Sequence, residues 1–276
     1  MRPLRAAGGF SLVEAVMVIA VTGILAASAS VFINGPLNAY VATARRAQLA
    51  DTADTALRLM TRDLQGALPN SVRVTTNGGV VLIEFLPVIT AGHYRSAPDP
   101  AGTGPTLDFT STTGNSFEII GPYDVPTVGQ QLVIFNLGPS VTLSDAYAGG
   151  NRRAISAINT TTNILTYTLG SGQFPYASPS DRYYVVSTAS SYVCDPVGGT
   201  LARYTGYPIQ ASQPTSTAAT PLSTATHGVL ATGLTACSVS LSQTMQSRGL
   251  VSVTFTLTSS SDALAFHQDF HVPNVP

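Results

Sequence analysis

The sequence contains no lysine and no tryptophan, and its 13 basic residues are all arginine. We read the missing lysine as genome composition rather than function. Only 10% of the 276 residues are charged, well below the quarter usual in soluble domains. The net charge is -1, which gives no electrostatic case for a nucleic-acid partner. Glutamate occurs only at Glu14, Glu84 and Glu118, which limits paired-carboxylate catalysis. There is no G-x-S-x-G, no HExxH and no P-loop, so neither enzymatic activity nor a cofactor is expected. Cysteine is limited to Cys194 and Cys237. No internal repeat recurs at a fixed period.

What the chain does have is concentrated at its start. Residues 1–9 carry Arg2 and Arg5 and no acid. From Phe10 to Asn34 the one ionisable side chain is Glu14. An apolar run of about 20 residues spans a bilayer as a helix. Two positive charges before the run and none just after it favour a cytoplasmic N-terminus. A cleaved secretory signal is the alternative, but it fits badly. The apolar run is too long, and the small-residue site Gly8-Gly9-Phe10 precedes it instead of following it. The lone Glu14 asks for a reason, because a carboxylate in hydrocarbon costs roughly 2.5–3.5 kcal/mol on insertion scales.

A basic leader, Gly8-Gly9, Phe10, then Ser-Leu-Val-Glu-Ala and an apolar run resembles the class III signal of type IV pilins and type II secretion pseudopilins. The resemblance covers roughly residues 1–35. It implies that a prepilin peptidase cuts after Gly9 and N-methylates Phe10. It also implies that Glu14 neutralises the N-terminal amine of a neighbouring subunit in the filament. Snorkelling of Glu14 to the headgroups is the alternative reading. RLMTRDLQGALPNSVRV (58–74) is further similar to the large J-type and W-type minor subunits of these systems.

Gly35-Pro36 is expected to kink the helix without ending it. Leu49, Ala53, Leu57, Met60, Leu64 and Leu68 then form a stripe at helical spacing. We read the stripe as a packing face for the globular part. Arg45, Arg46, Asp51, Asp54, Arg58, Arg62 and Asp63 are expected on the remaining helix surface. Gly66 and Pro69 supply the stop. The expected division is a leader at 1–9 and a helix at 10–68, followed by a β-rich globular domain at 69–276. Within the helix, 10–34 would be transmembrane and 35–68 amphipathic.

After Pro69, β-branched runs recur between turn signals. They are VVLIEFLPVI (80–89), SFEIIG (116–121), QQLVIFNLG (130–138), NILTYTLG (163–170) and RYYVVSTA (182–189). SYVCD (191–195), GTLARYTGY (199–207), GLTACSVSL (233–241), LVSVTFTLT (250–258) and ALAFHQDFHV (263–272) follow. RSAPDPAGTGP (95–105) and ASQPTSTAATPLSTATHG (211–228) read as exposed loops. The fold class expected is α+β: a long N-terminal helix packed on an antiparallel β-rich domain, the layout of type IV pilins.

The expected topology places Cys194 and Cys237 in the periplasm, where disulfides form. A disulfide between them is expected, with two free buried thiols as the alternative. His267, Asp269 and His271 alternate along one expected strand and suggest a metal set. The two histidines would lie roughly 13 Å apart, too far for one zinc ion. A polar outer strand face is expected instead, and no metal site.

SYVCDPVGGTLARYTGY, the second cysteine and the closing HQDFHVPNVP resemble one pilin subgroup. It is the O-type biogenesis protein of mannose-sensitive haemagglutinin (MSHA) pili. The resemblance implies a minor pilin that primes or caps an MSHA-type pilus, anchored once in the inner membrane before assembly. Its partners would be the prepilin peptidase and other major and minor pilins. A minor pseudopilin of type II secretion (J-type) and a pilus-displayed adhesin module are the alternatives.

Overall fold

The computed structural model describes residues 9–100, 102–170, 172–242 and 249–273. Gly8 and the rest of the expected leader before Gly9 lie outside them. The chain forms two compact units that divide between Gln48 and Leu49.

One helix, α1 (Leu12–Gln65), runs through both units without a break. Ser11 caps it: its Oγ accepts the Glu14 N–H at 3.2 Å, satisfying one of the free donors of the first turn. Pro36 lies inside the helix, which continues past it. The helix ends three residues earlier than its expected limit at Leu68. Gly66 accepts the Val88 N–H at 3.0 Å, and Leu68 donates to the Leu86 carbonyl at 2.8 Å. Residues 66–68 are thereby taken up by pairing with the chain near Pro87.

Among the described residues fourteen strands follow, all paired antiparallel. One sheet has the order β1 (Arg73–Asn77), β2 (Val80–Phe85), β9 (Ala189–Asp195), β10 (Thr200–Tyr207), β11 (Thr226–Thr232). A second has the order β12 (Leu234–Ser242), β13 (Leu250–Ser259), β14 (Asp262–His271). The remaining six strands close a barrel. These are β3 (Val88–Tyr94), β4 (Ser116–Ile120), β5 (Gln131–Ile134), β6 (Arg152–Asn159), β7 (Ile164–Tyr167) and β8 (Arg182–Val186).

An α+β layout with antiparallel sheets therefore holds. The closed barrel was not expected. Strands β1, β6 and β11 carry no recognised run, and the run 80–89 splits into β2 and the start of β3. The split comes at Leu86-Pro87, where proline ends one ladder and the chain turns into the barrel.

The helical stripe packs as expected. Leu49, Ala53, Met60 and Leu64 are buried against Val81, Ile83, Phe85, Val251 and Phe255 of the two open sheets. Ala56 joins them, and Leu57 is only partly buried. Leu68, beyond the helix, belongs to a second cluster with Leu82, Val133 and Leu222. Leu222 is fully buried, so the expected exposed loop 211–228 is in part a core segment. The barrel has its own interior of Tyr94, Phe117, Tyr167, Phe174 and Tyr183 among aliphatic residues. Gly92 lies directly opposite Tyr183 across β3 and β8. A Cβ there would meet the Tyr183 ring at 2.9 Å, so the close approach of ring to backbone requires glycine.

Candidate functional site

From Leu12 to Ile33 the helix presents apolar side chains in every direction. Leu12 is 82% exposed, Ile19 71% and Phe32 84%. No residue of its most apolar window is buried within this chain. A helix apolar all round needs a nonpolar environment supplied from outside. Its length and composition suffice to cross a membrane. Several of its hydroxyls bond to the helix's own carbonyls. Thr22 Oγ1 donates to the Val18 carbonyl at 2.7 Å, Ser28 Oγ to Ile24 at 2.8 Å and Thr43 Oγ1 to Ala39 at 2.9 Å. Such back-bonding is the form that hydroxyls take where no solvent partner exists.

Glu14 interrupts this surface from the third helical position, four residues after the exposed Phe10. An acid in the first turn interacts favourably with the helix dipole. Among the described residues no basic side chain pairs with it. The other two glutamates each have an arginine. Glu118 Oε2 accepts from Arg95 Nε at 2.7 Å, and Glu84 Oε2 from Arg73 Nε at 2.5 Å. Gly104 packs so closely on the Arg95–Glu118 pair that a Cβ would overlap the carboxylate.

Around Glu84 the structure assembles a polar network that sequence reasoning missed. Tyr207 donates to Glu84 Oε1 at 2.9 Å and lies 2.6 Å from Ser191 Oγ. Arg73 also donates to the Ala211 and Gln210 carbonyls at 2.6 and 2.9 Å. Its guanidinium sits 3.6 Å over the Tyr147 ring. Burial pushes the Glu84 carboxyl above its ordinary value, against the opposing bonds from Arg73 and Tyr207. The network straps the 209–213 segment to β1 and β2.

Asp63 departs from its expected place on the open helix surface. Its side chain is 9% exposed. It accepts from Arg203 Nε at 2.6 Å and Tyr192 Oη at 2.7 Å, which ties the end of α1 to β9 and β10. Asp54 and Arg58 are exposed and paired at 2.6 Å, as their spacing implies. Arg153 has no carboxylate in its clamp. It donates to the carbonyls of Gly149, Gly150, Arg152, Gly172 and Gln173, holding two barrel loops together.

Cys194 and Cys237 form the expected disulfide, with Cα atoms 6.2 Å apart. It joins β9 of one sheet to β12 of the other, so it staples together the two sheets whose residues share a core cluster with the helix. His267, Asp269 and His271 are all exposed on β14. His267 Nε2 lies 3.4 Å from Asp269 Oδ1. Thr254 and Ser252 of β13 hold them at 2.8 and 2.5 Å. Among the described residues no group of three potential ligands gathers for a metal. A cleft beside the end of α1, lined by Gln65, Val88, Arg182 and Tyr184, has Arg182 as its one charged group. It offers no acid–base pair.

A comparison with known protein families, curated sequences and solved structures gives no match to this chain.

Proposed function

We propose that the chain is a minor type IV pilin, a non-enzymatic structural subunit that helps to prime or cap an MSHA-type pilus. The observation that carries this reading is the N-terminal unit. It is a long helix, apolar on all sides and uncovered by its own chain, with a single carboxylate four residues after Phe10. A plain anchor has no use for that carboxylate, which raises the cost of insertion. An assembling subunit does. Cleavage after Gly9 creates an amine on Phe10, and Glu14 of one subunit neutralises that amine on the next. Before assembly the helix holds the chain in the inner membrane with the β-rich part in the periplasm. The disulfide supports export, since such bonds persist in oxidising compartments.

Mass spectrometry of the chain made with a prepilin peptidase tests the reading. The expected product begins at methylated Phe10. A product beginning at Met1, or cut beyond residue 30, refutes it. The barrel gives a second reading some support. Its aromatic interior is separate from the core that holds the helix, as suits a module displayed on the fibre. Selective glycan or surface binding that maps to the barrel would favour that adhesin reading. Recovery with a type II secretion complex instead of a pilus would favour a pseudopilin.

A further inference from the structure

β14 is an open edge. Among the described residues it pairs with β13 alone, and it keeps a single register with it over all ten residues. The other sheet edges are shorter or irregular. β1 has five residues, while β11 and β12 each meet their neighbours with a register shift. A long regular edge is a template for another strand.

The hydrogen-bond pattern shows which groups it offers. The Val272 N–H donates to the Gly249 carbonyl. In an antiparallel ladder the bonding side alternates, so the even-numbered residues of β14 bond to β13. The backbone groups of Ala263, Ala265, His267, Asp269 and His271 therefore face the open edge. One of them, the Asp269 carbonyl, is covered only by the exposed side chain of Gln268, at 2.9 Å. Past His271 the edge closes, because the Asn70 N–H takes the Pro273 carbonyl.

We propose that this edge pairs antiparallel with β14 of a second copy, about a twofold axis through Gln268. Side-chain pairing selects the register, and Pro273, which has no N–H and whose carbonyl the Asn70 N–H takes, excludes an axis through Phe270 that would set Asp269 opposite His271. Only registers that place odd residues opposite odd residues join the open groups. An axis through His267 sets that histidine against itself. An axis through Asp269 sets Asp269 against itself and His267 against His271. The axis through Gln268 sets His267 opposite Asp269 twice, an attractive cross-strand pair. On the inner face it sets Phe266 opposite Phe270, and Gln268 meets its own copy. The product is one six-stranded sheet across two chains. The His267-Asp269-His271 alternation, which binds no metal, acquires a role as a pairing code. This inference does not depend on the membrane reading.

The test uses the full chain in detergent micelles. Because the native cysteines are bonded to each other, Gln268→Cys supplies the one free thiol. Facing positions in a non-hydrogen-bonded pair bring Cβ atoms within about 5 Å, close to disulfide range. Mild oxidation is expected to give a product of doubled mass from Gln268→Cys, and at least about tenfold less from His267→Cys. His267→Asp is expected to weaken the dimer about tenfold, since acid then faces acid twice. Adding Asp269→His is expected to restore it. A monomer by sedimentation overturns the proposal. So does a dimer, held through the helix or another face, that cross-links no better at 268 than at 267. Insensitivity to His267→Asp overturns the register.

Discussion

Arg73 and Glu84 stand directly opposite one another on β1 and β2, and this buried pair fastens a long surface segment to the sheet. The carboxylate side chain is 0% exposed and the guanidinium side chain 10%. Removing one partner of such a pair leaves the other stranded, at a cost of about 3–5 kcal/mol. Arg73→Met is therefore expected to lower stability by about that amount in urea melts. Arg73→Met with Glu84→Gln is expected to recover part of the loss.

Glu84 also sets a pH dependence. Its folded pKa is raised by burial. Just above the ordinary carboxylate pKa, the folded state keeps a proton that the unfolded chain has released. Its contribution to stability is thus fully present below that pKa and falls as pH rises through the raised value. Urea midpoints measured upward from pH 4 should show this decline superimposed on other titrations. In Glu84→Gln the slope should flatten by the one group removed. An unchanged slope would show that Glu84 titrates alike in both states.

Glu14→Gln separates an assembly element from a plain anchor. As an anchor the helix loses a costly buried charge and inserts at least as well. In the first turn, the loss of the favourable dipole interaction is about 0.3–1 kcal/mol. As a subunit the variant leaves a neighbour's amine unpaired, at about 3–5 kcal/mol, or about a hundredfold or more in incorporation. If the proposed function holds, normal membrane levels with greatly reduced recovery in the filament are expected. Wild-type incorporation would remove Glu14 from the assembly mechanism.

The Cys194–Cys237 bond closes a sequence separation of 43 residues, worth about 4 kcal/mol in the chain-entropy model. Replacing both cysteines with alanine is expected to lower the Tm by roughly 8–16 °C for a domain of this size. Non-reducing peptide mapping should recover the linked pair. Full alkylation of both thiols without reductant would contradict the structure.

Gly92→Val probes the barrel. Its Cβ would fall 2.9 Å from the buried Tyr183 ring. Overpacking of this kind costs about 1–3 kcal/mol. The substitution is expected to destabilise the barrel while leaving the disulfide intact. Thermal melts with near-UV circular dichroism would register the lost tyrosine packing.

Local pattern alone determined the apolar helix with its single acid, the stripe from Leu49 to Leu64, most strand runs and the antiparallel class. Each depends on residues a few positions apart, where periodicity reports burial directly. Tertiary structure alone decided the rest. Asp63 looks like any helical surface acid until β10 brings Arg203 to it from 140 residues away. Glu84 and Tyr207 are 123 residues apart, and nothing in either neighbourhood announces the other. The barrel closes because β8 returns to pair with both β3 and β5. A single strand's sequence carries its faces, but not the identity of the strands beside it. The loop around Leu222 is buried for the same reason. Its polar composition suggested solvent, and only the core beneath it gave that leucine somewhere to go.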